Sequence, residues 1–147
     1  MARKPEAAAP ERLILDSGAV IALARAEPRA LAFLRRALEL DADVVVPVVV
    51  LAETLRGGRT DAAVNRVLNN VGQIGPTPPG VGRVAGALLG ASRRNDTVDA
   101  MVVAEAVTRG GGQVLTGDPT DLRRLAASED AVTIQPLTAL PGSRRGR

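Results

Sequence analysis

Short, fully apolar runs alternate along this chain with longer segments whose apolar residues recur every three or four positions. RLILD (12–16), DADVVVPVVV (41–50, as far as about Pro47), QVLTGD (113–118) and AVTIQPL (131–137) have the length and side chains of buried strands, and VGQIG (71–75) reads as a shorter one leading into a Pro/Gly loop. The intervening segments SGAVIALARAE, EPRALAFLRRALEL, VVVLAETLRGG, TDAAVNRVLNN, GVGRVAGALLGASRRN, NDTVDAMVVAEAVTRGGG and DPTDLRRLAAS have helical spacing. Their ends are marked by Pro28 in a first turn, by Thr60 or Asp61 as a cap, and by glycines at 57–58 and 110–112 as stops. Strands alternating with helices predict an α/β fold with a mainly parallel central sheet covered by helices on both faces. One domain is expected over residues 11–140, between a flexible N-terminal tail (1–10) and a flexible basic C-terminal tail (141–147). The small residues of GVGRVAGALLGAS suit close packing against the sheet, or against a second subunit.

Four acids interrupt this pattern where burial is expected. Asp16 closes an apolar strand, Glu53 follows Val49 and Val50 by one helical turn, Asp99 heads a helix ahead of Val102 and Val103, and Asp118 ends a strand. An ionised carboxylate is costly to bury unless it is paired or binds a metal. In a parallel α/β sheet, strand C-termini and helix N-termini share the edge where ligands bind, so all four reach one pocket. A hard cation such as Mg²⁺, or Mn²⁺ in its place, would relieve their repulsion, and an ion so held activates water and neutralises phosphate.

Simpler roles compete for some of these residues. Asp118 before Pro119 has the form of a helix cap, with Asp121 at the third helical position, and Asp96 stands to Asp99 in the same way. Capping is the favoured role for Asp96 and Asp121, whereas nothing in a strand end or an apolar helix face calls for Asp16 or Glu53. Ser17 either orients water or phosphate or caps the first helix, and Thr116 either lines the pocket or satisfies a strand end. The glycines at 110–112 follow a helix and precede a strand, so they form a helix stop and not a phosphate loop.

Composition narrows the chemistry. The 147 residues include no Cys and no His, which excludes thiolate nucleophiles, disulfides, imidazole bases and the usual zinc sites. A net charge of +3, carried almost wholly by Arg, favours phosphate or carboxylate partners. Phe33 is the sole aromatic residue, so any nucleic acid would be held by Arg stacking and phosphate contacts and not by aromatic ring stacking. No apolar stretch is long enough to span a bilayer and MARKPEAAAP lacks a secretion segment, so a cytoplasmic protein is expected.

LILDSGAVIAL, the AE of VVVLAETLRGG, the DA of TVDAMVVAEA and TGDPTDL, in that order over residues 12–137, resemble the PIN-domain family, and within it the VapC-type toxin ribonucleases of toxin–antitoxin pairs. The resemblance implies a three-layer α/β/α fold and Mg²⁺-dependent endoribonuclease activity. It also implies Asp16, Glu53, Asp99 and Asp118 as catalytic metal ligands, with Asp96 or Asp121 in support. Its partners would be an RNA substrate, a small antitoxin protein in the active-site groove, and a second copy in a homodimer. This sequence has Asp118 where the family often has Asn and Leu122 where it usually has Phe, which leaves open whether Asp118 or Asp121 is nearer the metal. Arg56, Arg93, Arg94 and Arg123 are candidates to guide RNA. A catalytically weak or inactive PIN-like binding module is the alternative. A phospho-acceptor receiver would want a lysine near a late strand, and the only one is Lys4; a haloacid-dehalogenase-type phosphatase would want an acid where Gly18 stands.

Overall fold

Leu13, Ile14 and Leu15 are shut off from solvent, the two-sided burial of a central parallel strand. In the computed structural model, which describes residues 12–138, this strand, β1 (Arg12–Leu15), lies between β2 (Asp43–Val45) and β3 (Gly112–Thr116), and β4 (Val132–Pro136) pairs with β3. All pairs are parallel in the order β2-β1-β3-β4, with Leu13 opposite both Val44 and Gln113 and Val114 opposite Ile134. Among the described residues seven helices flank the sheet: α1 (Ser17–Ala24), α2 (Pro28–Glu39), α3 (Val48–Thr54), α4 (Asp61–Asn70), α5 (Pro79–Ser92), α6 (Thr97–Thr108) and α7 (Pro119–Leu125). This is the α/β arrangement that the alternating pattern predicts. The expected tails, 1–10 and 141–147, lie outside the described residues. Among those described, no helix is long and apolar enough to cross a membrane.

Three local readings change. The strand expected to reach Pro47 ends at Val45, and α3 begins at Val48 with Pro47 in its cap position. The short strand expected in 71–75 is one parallel bridge between Val45 and Gln73: Gln73 N–H donates to the Val44 carbonyl (2.8 Å) and Val46 N–H to the Gln73 carbonyl (3.1 Å). The pairing stops there because the partner segment turns at Pro47 into α3. The glycines at 110–112 do end α6 as expected: Gly111 N–H bonds the Ala106 carbonyl (2.8 Å), all three have positive φ, and a Cβ on Gly111 would lie 2.6 Å from the Ala131 carbonyl.

The small-residue helix α5 corrects the third reading. Val81, Ala85 and Leu88 pack into the core, whereas a Cβ on Gly80, Gly82, Gly86 or Gly90 would meet nothing within 4 Å. Close packing within the fold therefore does not explain these glycines. Each mid-helix glycine costs chain entropy without a contact in return, so Gly86→Ala is expected to stabilise the protein by about 0.5–1 kcal/mol, read as a higher urea midpoint at unchanged slope.

At the end of the sheet where β1 begins, Arg12 donates to the carbonyls of Arg109 (2.6 Å) and Gly111 (2.9 Å), and buried Glu105 pairs with Arg109 at 3.0 Å. These charges fasten the C-terminal end of α6 to the sheet. The acids singled out in the sequence gather at the opposite end, where the strands terminate.

Candidate metal centre

β1 hands directly over to α1 at Asp16. Its N–H still pairs with the Leu115 carbonyl (3.2 Å), as a strand residue would, while its carboxylate Oδ1 accepts from Ala19 N–H (2.9 Å) as the helix cap. The expectation that a cap does not explain Asp16 is thus corrected, and Ser17, the other capping candidate, is the first helical residue instead. Capping leaves most of the carboxylate's acceptor capacity unused. At 8% exposure, Asp16 has its pKa pushed up to about 6. Burial is the main cause; bonds from Thr116 and Ala19 oppose it, and the charges of Asp99 and Glu53 add to it.

Thr116, fully buried at the end of β3, fills both roles weighed for it. Its hydroxyl accepts from Asp118 N–H (3.0 Å), fixing the turn into α7, and its proximity to the Asp16 carboxylate acts to lower that group's pKa. The two acidic loops meet through backbone as well: a Cβ on Gly18 would stand 3.0 Å from Gly117 N. Gly18 and Gly117 are positioning residues that sequence reasoning missed. The signal was present in the paired strings DSG and TGD, each a glycine beside an acid at a strand end.

Asp99, in the first turn of α6, has a raised pKa, caused first by partial burial and then by the charges of Asp96, Glu53 and Asp118, with Arg94 acting against them. Glu53, half-buried on α3, acts on both Asp16 and Asp99. All four acids expected to form one pocket therefore lie in a shared electrostatic field. The tightest carboxylate group is a different one: oxygens of Asp96, Asp99 and Asp121 lie within 4.8 Å of one another. Asp121 is half-buried beside Asp99, whereas Asp118 is exposed.

The favoured capping roles of Asp96 and Asp121 are also corrected. Asp96 and Asp118 occupy N-cap positions of α6 and α7, yet neither side chain makes a capping hydrogen bond. Arg94 engages Asp96 and Asp121 instead: its Nε is 3.5 Å from Asp96 and its Nη2 pairs with Asp121. Arg56, Arg93 and Arg123 are exposed, so of the four arginines considered for RNA, Arg94 alone is engaged with the acids.

A set of oxygen donors with no nitrogen or sulfur among them, two of them carboxyls whose pKa is raised first by burial and further by neighbouring acids, fits a hard divalent cation.

A PIN domain family model matches residues 13–128, and the chain belongs to this family. No curated protein is matched by its sequence. Among solved structures, VapBC2 from Rickettsia felis, bound to a DNA fragment from its promoter, is similar with a TM-score of 0.68 at 10% identity, over 85% of this chain and 98% of that one. A toxin–antitoxin complex from Klebsiella pneumoniae has a TM-score of 0.61 at 17% identity, over 82% and 95%. FitAcB from Neisseria gonorrhoeae has a TM-score of 0.62 at 17% identity, over 87% and 99%. At these identities the likeness is one of fold.

Proposed function

We propose that this protein is a Mg²⁺-dependent endoribonuclease, the toxin of a type II toxin–antitoxin pair, with Asp16, Glu53, Asp99 and Asp118 holding the metal. Asp96 and Asp121 support that set, Mn²⁺ substitutes for Mg²⁺, and the reaction takes place in the cytoplasm. The observation that carries this reading is the placement of four acids from widely separated segments, Asp16, Glu53, Asp99 and Asp118, at the ends of parallel strands and on the helices beside them, where Glu53 and Asp99 act on Asp16 and Glu53 and Asp118 act on Asp99. When bound, the ion supplies charge neutralisation for the phosphodiester and lowers the pKa of attacking water. Thr116 sets the Asp118 turn beside Asp16, Ser17, the first residue of α1, positions water or phosphate, and Asp118, the exposed member, accepts a proton at its carboxylate. Exposed Arg56, Arg93 and Arg123 steer the RNA backbone. Membership of the PIN family supports the nuclease reading. The toxin–antitoxin complexes of similar fold support a small antitoxin as partner, and the family resemblance supports a homodimer.

The test is cleavage of a labelled structured RNA by antitoxin-free protein in Mg²⁺, in EDTA, and by folded Asp16→Ala. Cleavage is expected in the first condition alone. Cleavage that survives Asp16→Ala would identify a contaminating nuclease, and a folded wild-type protein that cleaves no RNA would leave a binding module as the better description.

A further inference from the structure

Arg94 occupies an unusual place for a cation. It follows α5, whose C-terminal turn ends on Arg93 in the left-handed conformation (φ 56°, ψ 37°), a backbone state that glycine adopts at lower cost. Arg94 N–H closes that turn on the Leu89 carbonyl (3.3 Å), and its side chain reaches between the start of α6 and the first turn of α7. Nη2 pairs with Asp121, while Nε, buried, stands 3.5 Å from Asp96 with no hydrogen bond. The guanidinium is thus paired with Asp121 and near Asp96 without bonding it, beside three carboxylates whose oxygens lie within 4.8 Å of one another.

We propose that Arg94 is a built-in counter-cation: in the metal-free protein it neutralises Asp96 and Asp121 beside the ligand Asp99, and its charge, which also acts on Asp99, opposes an incoming divalent ion, so Arg94 sets the ion concentration at which the site fills. This rests on the reading of the acids as a metal centre. A guanidinium keeps its charge at every accessible pH, so its competition with the ion does not depend on its own protonation. Arg94 is in this sense a positioning residue, acting on Asp96 and Asp121 and not on substrate. Its removal has two effects of opposite sign. The metal-free protein loses an attraction and is left with bare carboxylate repulsion, and the ion meets a more negative site.

The experiment is a calorimetric Mn²⁺ titration of the full chain without RNA, with thermal melts in EDTA and in Mn²⁺, on wild type, Arg94→Gln, Arg94→Lys and Asp99→Asn. Arg94→Gln is expected to bind Mn²⁺ about fivefold more tightly, to melt lower in EDTA and to gain more from Mn²⁺. Arg94→Lys, which keeps the charge but loses the planar fork, is expected to fall between the two, and it carries the test if Arg94→Gln does not fold. Wild-type binding that Asp99→Asn abolishes, together with unchanged or weaker binding by the Arg94 variants, would overturn this inference and leave the metal centre standing. No Mn²⁺ binding by wild type would overturn both.

Discussion

Asp16→Asn is expected to abolish RNA cleavage and, in the same molecule, to stabilise the metal-free protein at pH 7 by about 3 kcal/mol, from a shift of roughly two units at 1.36 kcal/mol each. The cleavage arm follows from the proposed metal set. The stability arm follows from burial: a carboxyl whose pKa rises from 3.8 to about 6 on folding binds its proton more tightly in the native state. Its contribution to stability is therefore fully present below pH 3.8, falls as pH rises, and is gone above about 6. Asparagine keeps an oxygen for Ala19 N–H and ranks with aspartate as a cap, so α1 keeps its N-terminal bond. The variant and the wild type should have similar urea midpoints near pH 4 and separate toward pH 7 in EDTA. Added Mg²⁺ should then stabilise the wild type and not the variant. A variant less stable than wild type at pH 7 would show that Asp16 carries no burial penalty.

Gly72→Ala is expected to do the reverse: roughly 3 kcal/mol of stability lost, with cleavage per folded molecule retained. Gly72 has φ +73°, and a Cβ there would lie 1.8 Å from the Val44 carbonyl oxygen, the atom that accepts from Gln73 N–H. Backbone must move, and the bridge to Val45 and the Val46–Gln73 hydrogen bond lie in the way. The loss falls on the outer side of β2, away from the loops that carry Asp16, Asp99 and Asp118. Denaturation midpoints and single-turnover cleavage at low temperature measure the two arms separately. An unchanged midpoint would mean that the turn relaxes freely, and loss of cleavage in folded protein would mean that the edge and the acids are coupled.

How much of this was legible in the sequence depends on whether a feature is local. Asp16, Glu53, Asp99 and Asp118 stood out because a carboxylate in an apolar run is visible in one dimension, and the alternation of strand and helix was enough to bring them to one end of a parallel sheet. The grouping of Asp96 and Asp121 with Asp99 was not legible in that way. Their capping signals were sound as local patterns, but a cap persists only if no stronger partner competes, and Arg94 reaches them from the end of another helix. Asp16 was misjudged for a different reason: a residue that both ends a strand and caps a helix has no separate cap position to signal it. The glycines of α5 look in sequence like a packing face, and only their position on the helix shows that they point away from the core.

The pairing of β1 with β3 also sets an order in time. Leu13 meets Gln113, a hundred residues downstream, and the strand that carries Asp16 has its partner on that side only after most of the chain exists. Long-range parallel pairing is slow for the same reason, since loop closure precedes any gain from contact. During synthesis the N-terminal half therefore holds Asp16 and Glu53 before Asp99, Thr116 and Asp118 are made, and the acid set is incomplete until residue 118 is added. The acids of the two halves can therefore come together only once β3 has been made and has found its place beside β1.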